Sequence, residues 1–149
     1  MNVLVAVDGS DASENALAHA IDVAEAMDGT VTAVHTIDPS VFDVGGSDPI
    51  ASASDADERL ILESVEDAEQ RGLDVLEEAV DLASEHGSDV GTELLYGDPV
   101  EEIAAFADDE GFDAIFVGHR GRSGRTELLV GSVAKQLVER ATVPVTVVR

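Results

Sequence analysis

Residues 114–133 read AIFVGHRGRSGRTELLVGSV, and the order of residue types in this stretch decides the fold. Ala114 to Val117 are apolar at consecutive positions, as expected of a parallel strand covered by helices on both faces rather than one with a wet side. The run breaks at Gly118 into a segment carrying Gly118, Gly121, Gly124 and Gly131 together with Arg120, Arg122 and Arg125. Ser132 then stands where a helix opens, Lys135 follows one turn in, and Val133, Leu137 and Val138 recur at helical spacing as its inward face. A buried strand, a glycine-rich bend and a helix make up half of a β-α-β unit.

Working outward, four more apolar runs alternate with helical patterns: Val3 to Val7, Val31 to Ile37, Val90 to Tyr96 and Val143 to Val148. Alternation of this kind builds a doubly wound, open parallel sheet of five strands, an α/β Rossmann-like architecture with helices on both faces. Val3 to Val7 and Ala114 to Val117 are the most uniformly apolar and belong at the centre, in the order 3-2-1-4-5. VGTELLY, with Gly, Thr and Glu in its middle, suits an edge. The first helix is expected after Asp11 and Glu14, spaced as a capping box, with Gly29 ending it. The second runs from near Asp55 to Glu85, with Leu62, Val65, Leu73, Leu76, Val80 and Ala83 on its inner stripe and Gly72 as a weak point. Asp98, Pro99 and Glu101 signal the start of a third, which Gly111 stops. Between Asp38 and Ser54 two prolines, adjacent glycines and no usable period mark a long loop, a lid or a mobile spacer.

Composition narrows the classes. At 149 residues the chain is expected to form one domain, spanning 1–149, and with 44% hydrophobic residues and four Pro it is expected to fold alone. The absence of Cys closes disulfide frameworks, thiolate metal sites and cysteine nucleophiles. Neither a basic leader nor a stretch of about 18 apolar residues is found, so a soluble, cytoplasmic protein is expected. Thirty-two acidic residues face eight basic ones, giving a formal charge of -24, and Lys135 is the single lysine. That balance repels nucleic acid and anionic lipid and points to a salt-adapted, halophilic setting in which the charge is screened. Five aromatic residues, four Phe and one Tyr, give little for stacking on bases.

In a doubly wound sheet, ligands bind beyond the carboxyl ends of the strands at the switch point. Two loops meet there: VDGSD at Asp8, after the first run, and the Gly/Arg segment after the fourth. Three of the eight basic residues fall in that second loop, an island on a chain that repels polyphosphate elsewhere. Glycines that let phosphate reach main-chain N–H groups, next to a helix start, make it a phosphate site. It is not a P-loop, since no Lys precedes Ser132, and no G-x-G-x-x-G follows the first run.

These residues resemble the universal stress protein (UspA) family, in its ATP-binding subgroup. The subgroup's G-x2-G-x9-G-[ST] pattern is present as Gly118, Gly121, Gly131 and Ser132, and V-A-V-D-G-S, H-T-I-D, Y-G-D-P and V-P-V-T-V-V extend the likeness along the whole chain. The resemblance implies a stress-response or signalling protein that binds ATP, ADP or AMP with Mg2+ and couples occupancy to conformation or partner choice, with at most weak ATPase activity. It also implies the site: Ala6 and Val7 bordering adenine, Asp8 near the ribose and the metal, and Thr36 recognising the adenine edge through its main chain. Gly118, His119, Arg120 and Gly121 would form the first half of the phosphate loop, and Gly131, Ser132 and Val133 the second, with Arg122 joining the site from the arginine cluster. His119-Arg120 departs from the usual Ser/Thr then His/Arg, which alters contacts without abolishing binding. A homodimer through Val143 to Val148 is implied as well, burying an otherwise open edge.

Other features read as ordinary structure. Asp8 also suits a turn. His19, His35, His86 and His119 lack metal spacing; His35 reads as a strand residue and His119 as facing ligand. Asp55, Asp57 and Glu58 read as an acidic helix start, and Ser123 fails G-x-S-x-G. An enzyme splitting or transferring from the α-phosphate in the same crevice is the alternative function, and a flavin mononucleotide carrier a third, disfavoured by the few aromatics.

Overall fold

A computed structural model describes residues 1–38, 55–120 and 130–149, the side chains of 55–64 excepted. Its elements alternate as the runs require: β1 (Asn2–Ala6), α1 (Asp11–Ala26), β2 (Thr30–Ile37), α2 (Asp55–Glu85), β3 (Gly91–Tyr96), α3 (Pro99–Asp109), β4 (Ala114–Gly118), α4 (Ser132–Arg140) and β5 (Val145–Val148). All neighbouring strands pair in parallel, in the order β3-β2-β1-β4-β5. β5 starts later than its apolar run because Pro144 has no N–H for the ladder, although its carbonyl accepts from Ile115 N at 2.9 Å.

Each sheet face carries its own core. Val3, Val5, Ala114 and Phe116 pack under α1 and α2, while Leu4, Val34, Ile115 and Val117 pack under α3 and α4. That two-sided burial is why β1 and β4 read as unbroken apolar runs: successive side chains enter opposite cores. Among the described residues no helix is long and apolar enough to cross a membrane.

Several local expectations shift. The N-cap of α1 is Ser10, whose hydroxyl accepts from Ser13 N, so Asp11 lies inside the first turn rather than capping it. At the other end the left-handed residue is Asp28, with φ 54°, and not Gly29. Gly29 is needed for space: a Cβ there would sit 2.1 Å from Met1 O. On α2 the seam facing the sheet is Gly72, Val75, Leu76, Ala79 and Ala83, whereas Leu73 is 50% and Val80 38% exposed. The helix runs unbroken through Gly72; a Cβ there would meet His35 Cδ2 at 2.9 Å, so the glycine admits that ring. The side chain of Leu62 and the loop from residue 39 to 54 lie outside the described residues. In α4 the buried side chains are Ala134 and Leu137, and Val138 is 57% exposed, because its position falls on the solvent side of the helix.

The edge strand β3 is mostly exposed, as its polar middle requires. At its end the Tyr96 phenol is pushed above its usual pKa by partial desolvation and then by the Glu69 carboxylate beside it, which disfavours a second negative charge.

Candidate functional site

The site begins with two turns at the carboxyl ends of β1 and β4. After β1 the chain must swing from strand to helix within four residues, and Gly9 takes φ 81° to do it. Asp8 holds that turn: its Oδ1 accepts from Ser10 N at 2.9 Å and from Ser10 Oγ at 2.5 Å. Ser13, 4% exposed, closes the circuit by accepting from Asp8 N at 3.3 Å and donating to Ser10 O at 3.0 Å. The turn reading and the site reading of Asp8 are therefore compatible, since Oδ1 is engaged and Oδ2 has no partner among the described residues.

After β4 the loop is tied at its base. His119 N donates to Val148 O at 2.6 Å, and Gly131 N donates to His119 O at 2.5 Å, so the departing and returning strands of chain are joined. A Cβ on Gly131 would lie 3.1 Å from Arg120 Cα, so glycine permits that closure. Gly118 has a packing task besides the one read in the sequence. Its missing Cβ would come within 2.8 Å of Ala12 C and 2.9 Å of Ser13 N, so it makes room for the first turn of α1.

The helix that follows is unlike its neighbours. α1 and α3 carry side-chain caps from Ser10 and Asp98, whereas α4 begins at Gly131 with no side-chain cap bond. Asp98 accepts from Glu101 N as expected, but Glu101 does not complete the capping box; its carboxylate reaches Arg140 at 3.3 Å on α4 instead.

Between these turns lies a cavity of about 530 Å³, within the range that holds small ligands. Ala6, Val7, Asp8, Thr36, Gly118, Arg120, Gly131, Ser132 and Val133 all line it, so most of the sequence-derived set converges on one space. His119 does not. Fixed by both main-chain bonds, it is 8% exposed, its ring is absent from the cavity wall, and both ring nitrogens lack partners among the described residues. Gly121, Arg122, Ser123, Gly124 and Arg125 lie outside the described residues.

The lining also contains Ser13, Val34, His35, Pro99, Ile103, Val117 and Ala134, which sequence reasoning missed. Val34 was legible in principle, being two residues from Thr36 and therefore on the same face. Pro99 and Ile103 are one α-helical turn apart on α3, which the strand-end argument never consulted. Together the cavity has an apolar slot of Val34, Pro99, Ile103, Val117, Val133 and Ala134 and a polar end at Asp8, Arg120, Gly131 and Ser132. His35 is a strand residue whose Nδ1 faces Val7 O at 2.8 Å; a carbonyl only accepts, so this nitrogen carries the proton. Among the described residues no group of three His, Cys, Asp or Glu comes together to hold a metal.

The sequence profile described as the universal stress protein family matches residues 1–149. The chain belongs to the universal stress protein family. A universal stress protein of Methanocaldococcus jannaschii is 33% identical over 147 residues, covering 99% of this chain and 81% of its relative. Among solved structures, universal stress protein UspA from Lactobacillus plantarum superposes with a TM-score of 0.80 at 25% identity, covering 100% of this chain and 97% of the other. A universal stress protein from Archaeoglobus fulgidus in complex with dAMP has a TM-score of 0.66 at 27% identity, covering 100% and 98%. The universal stress protein fold thus agrees with the order of strands read from the apolar runs.

Proposed function

We propose that the cavity binds an adenine nucleotide, with the base in the apolar slot and the phosphates against the start of α4. One observation carries the reading: α4 is the described helix that opens onto the cavity without a side-chain cap, and Arg120 stands beside that opening on a chain of charge -24. Uncapped N–H groups and the helix dipole favour an anion, and a phosphate would supply the missing cap. The complex of the Archaeoglobus fulgidus relative with dAMP supports adenine as the base.

ATP is the form we favour, with Asp8 Oδ2, which has no partner among the described residues, holding Mg2+ through water, since Mg2+ gives up its water shell reluctantly. Asp8 is the sole carboxylate in the described lining, and its commitment to Ser10 leaves it poorly placed as a base for attacking water. Turnover is therefore weak, and occupancy acts as a signal to conformation or partner in a stress response. Arg122 and Gly121 complete the phosphate contacts in this reading, and His119 supports the loop from behind.

Titration calorimetry in molar KCl with ATP, ADP and AMP, with and without Mg2+, tests the reading. Affinity should fall from ATP to AMP. Gly131→Asp, which brings its own anionic cap to α4, should weaken ATP by about tenfold to a hundredfold, the worth of charge-assisted bonds. Equal affinity for ATP in this variant, or no binding by the unaltered chain, would refute it.

The outer edge of β5, each of whose residues is half-buried, pairs with its symmetry mate to form a homodimer in the same reading. Sedimentation in molar KCl should give twice the 15.5 kDa chain mass. A monomer at micromolar concentration would remove the dimer.

A further inference from the structure

Thr36 combines three polar groups at one point of the cavity. Strand geometry aims its main-chain N–H and C=O toward β1: Val34 O, two residues earlier, accepts from Val7 N at 2.9 Å, while the intervening parity belongs to β3, where Ile37 O accepts from Gly97 N at 2.8 Å. β1 ends at Ala6, so at Thr36 that edge faces the crevice rather than another strand. Val7 O, the carbonyl that would have continued the ladder, is occupied by the His35 ring. The side chain of Thr36 shares a sheet face with Val34, which packs with Val100 and Ile103 of α3.

Its hydroxyl is the unusual feature. Thr36 Oγ1 is buried and has no hydrogen-bond partner among the described residues, although Thr36 lines a cavity whose nearby wall is apolar. Burying a hydroxyl without a partner is unfavourable, and an isosteric valine would avoid that cost. With under 1 Å² of its surface exposed, the oxygen reaches the cavity only when the side chain turns about Cα–Cβ to another staggered position, and a ligand atom there supplies the partner the wall withholds. A hydroxyl both donates and accepts, so it can bond either an amino group or a ring nitrogen of a heterocycle.

We propose that the Thr36 hydroxyl bonds the base of the bound nucleotide directly and sets the chain's discrimination for the base, beyond main-chain recognition of its edge. This rests on the adenine-nucleotide reading of the cavity. The neighbours decide which part of the ligand is involved: Val34, Pro99 and Ile103 can flank a flat ring, while the ionic groups Asp8 and Arg120 serve the sugar and phosphates.

The test separates a ligand-directed hydroxyl from a structural one. Thr36→Val should leave thermal stability of the ligand-free chain unchanged or raise it, since an orphaned group is removed. The same variant should bind ATP about fivefold to tenfold more weakly, while tripolyphosphate, which has no base, competes equally well with both forms. Thr36→Ser should regain most of the ATP affinity. A structural role would instead lower stability and weaken both ligands together. If the unaltered chain binds ATP and Thr36→Val binds it equally or better, this inference falls alone. If the unaltered chain binds no adenine nucleotide, the reading of the cavity falls and takes the inference with it.

Discussion

Gly118→Val is expected to loosen α1 and spoil the cavity in a single step. The backbone at Gly118 needs no left-handed conformation, so the constraint is space alone. A Cβ would approach Ala12 C to 2.8 Å, Ala12 Cβ to 2.9 Å and Ser13 N to 2.9 Å, and two of those three atoms are main chain that cannot swing aside. Valine adds two methyl groups beyond that Cβ. Overpacking costs about 1–3 kcal/mol, and with unyielding backbone the upper figure applies, a fall in melting temperature of about 6–12 °C for a chain of this size. Because Ser13 N donates to Ser10 Oγ and Ser13 Oγ accepts from Asp8 N, displacement of Ser13 also releases the Asp8 turn. Gly118→Ala should show a smaller loss of the same kind. Thermal melts in molar KCl decide the matter, and an alanine variant that melts with the unaltered chain would show that α1 yields freely.

Dilution of salt is expected to cost the fold more than any single substitution. Among the described residues one ion pair forms, Arg140 with Glu101 at 3.3 Å, and its side chains are 55% and 67% exposed. A pair so exposed is worth about 0–1 kcal/mol. No basic residue stands in the last turn of α1, α2 or α3, so three helix dipoles go without cationic compensation on a molecule of charge -24. At about 1 M salt the Debye length is about 3 Å and neighbouring carboxylates scarcely feel one another, whereas at about 0.01 M it is about 30 Å and the whole surface repels itself. Circular dichroism melts across that range should lose at least about 10 °C, with unfolding near room temperature at the dilute end. A midpoint constant within a few degrees would show that the acids are tolerated without screening, and the salt-adapted reading would go.

The strands were legible because two-sided burial leaves a plain trace: Val3 to Val5 and Ala114 to Val117 have no polar interruption. The helix seams were less legible, for a physical reason. Where α2 lies closest to the sheet it needs small residues, and Gly72, Ala79 and Ala83 supply them, whereas counting large apolar residues selected Leu73 and Val80. At α1 the cap was misread by one residue because Asp8 bonds Ser10 and thereby fixes where the helix starts. In the site, Gly118 and Gly131 both line the cavity, but glycine spacing could not say what fills the place of each missing side chain. Gly118 faces α1, Gly131 faces Arg120, and only the three-dimensional arrangement tells them apart. Nor could a sequence show that the hydroxyl of Thr36 and both ring nitrogens of His119 are buried without a hydrogen-bond partner among the described residues.

The bond from Gly131 N to His119 O also separates the sheet from whatever lies between those residues in the chain. With the two ends already clasped, extra length in 121–129 adds little entropic penalty, roughly 0.6 kcal/mol for each doubling. Main-chain atoms alone thus hold the carboxyl end of β4 to the start of α4, so this junction does not depend on which side chains the intervening residues carry.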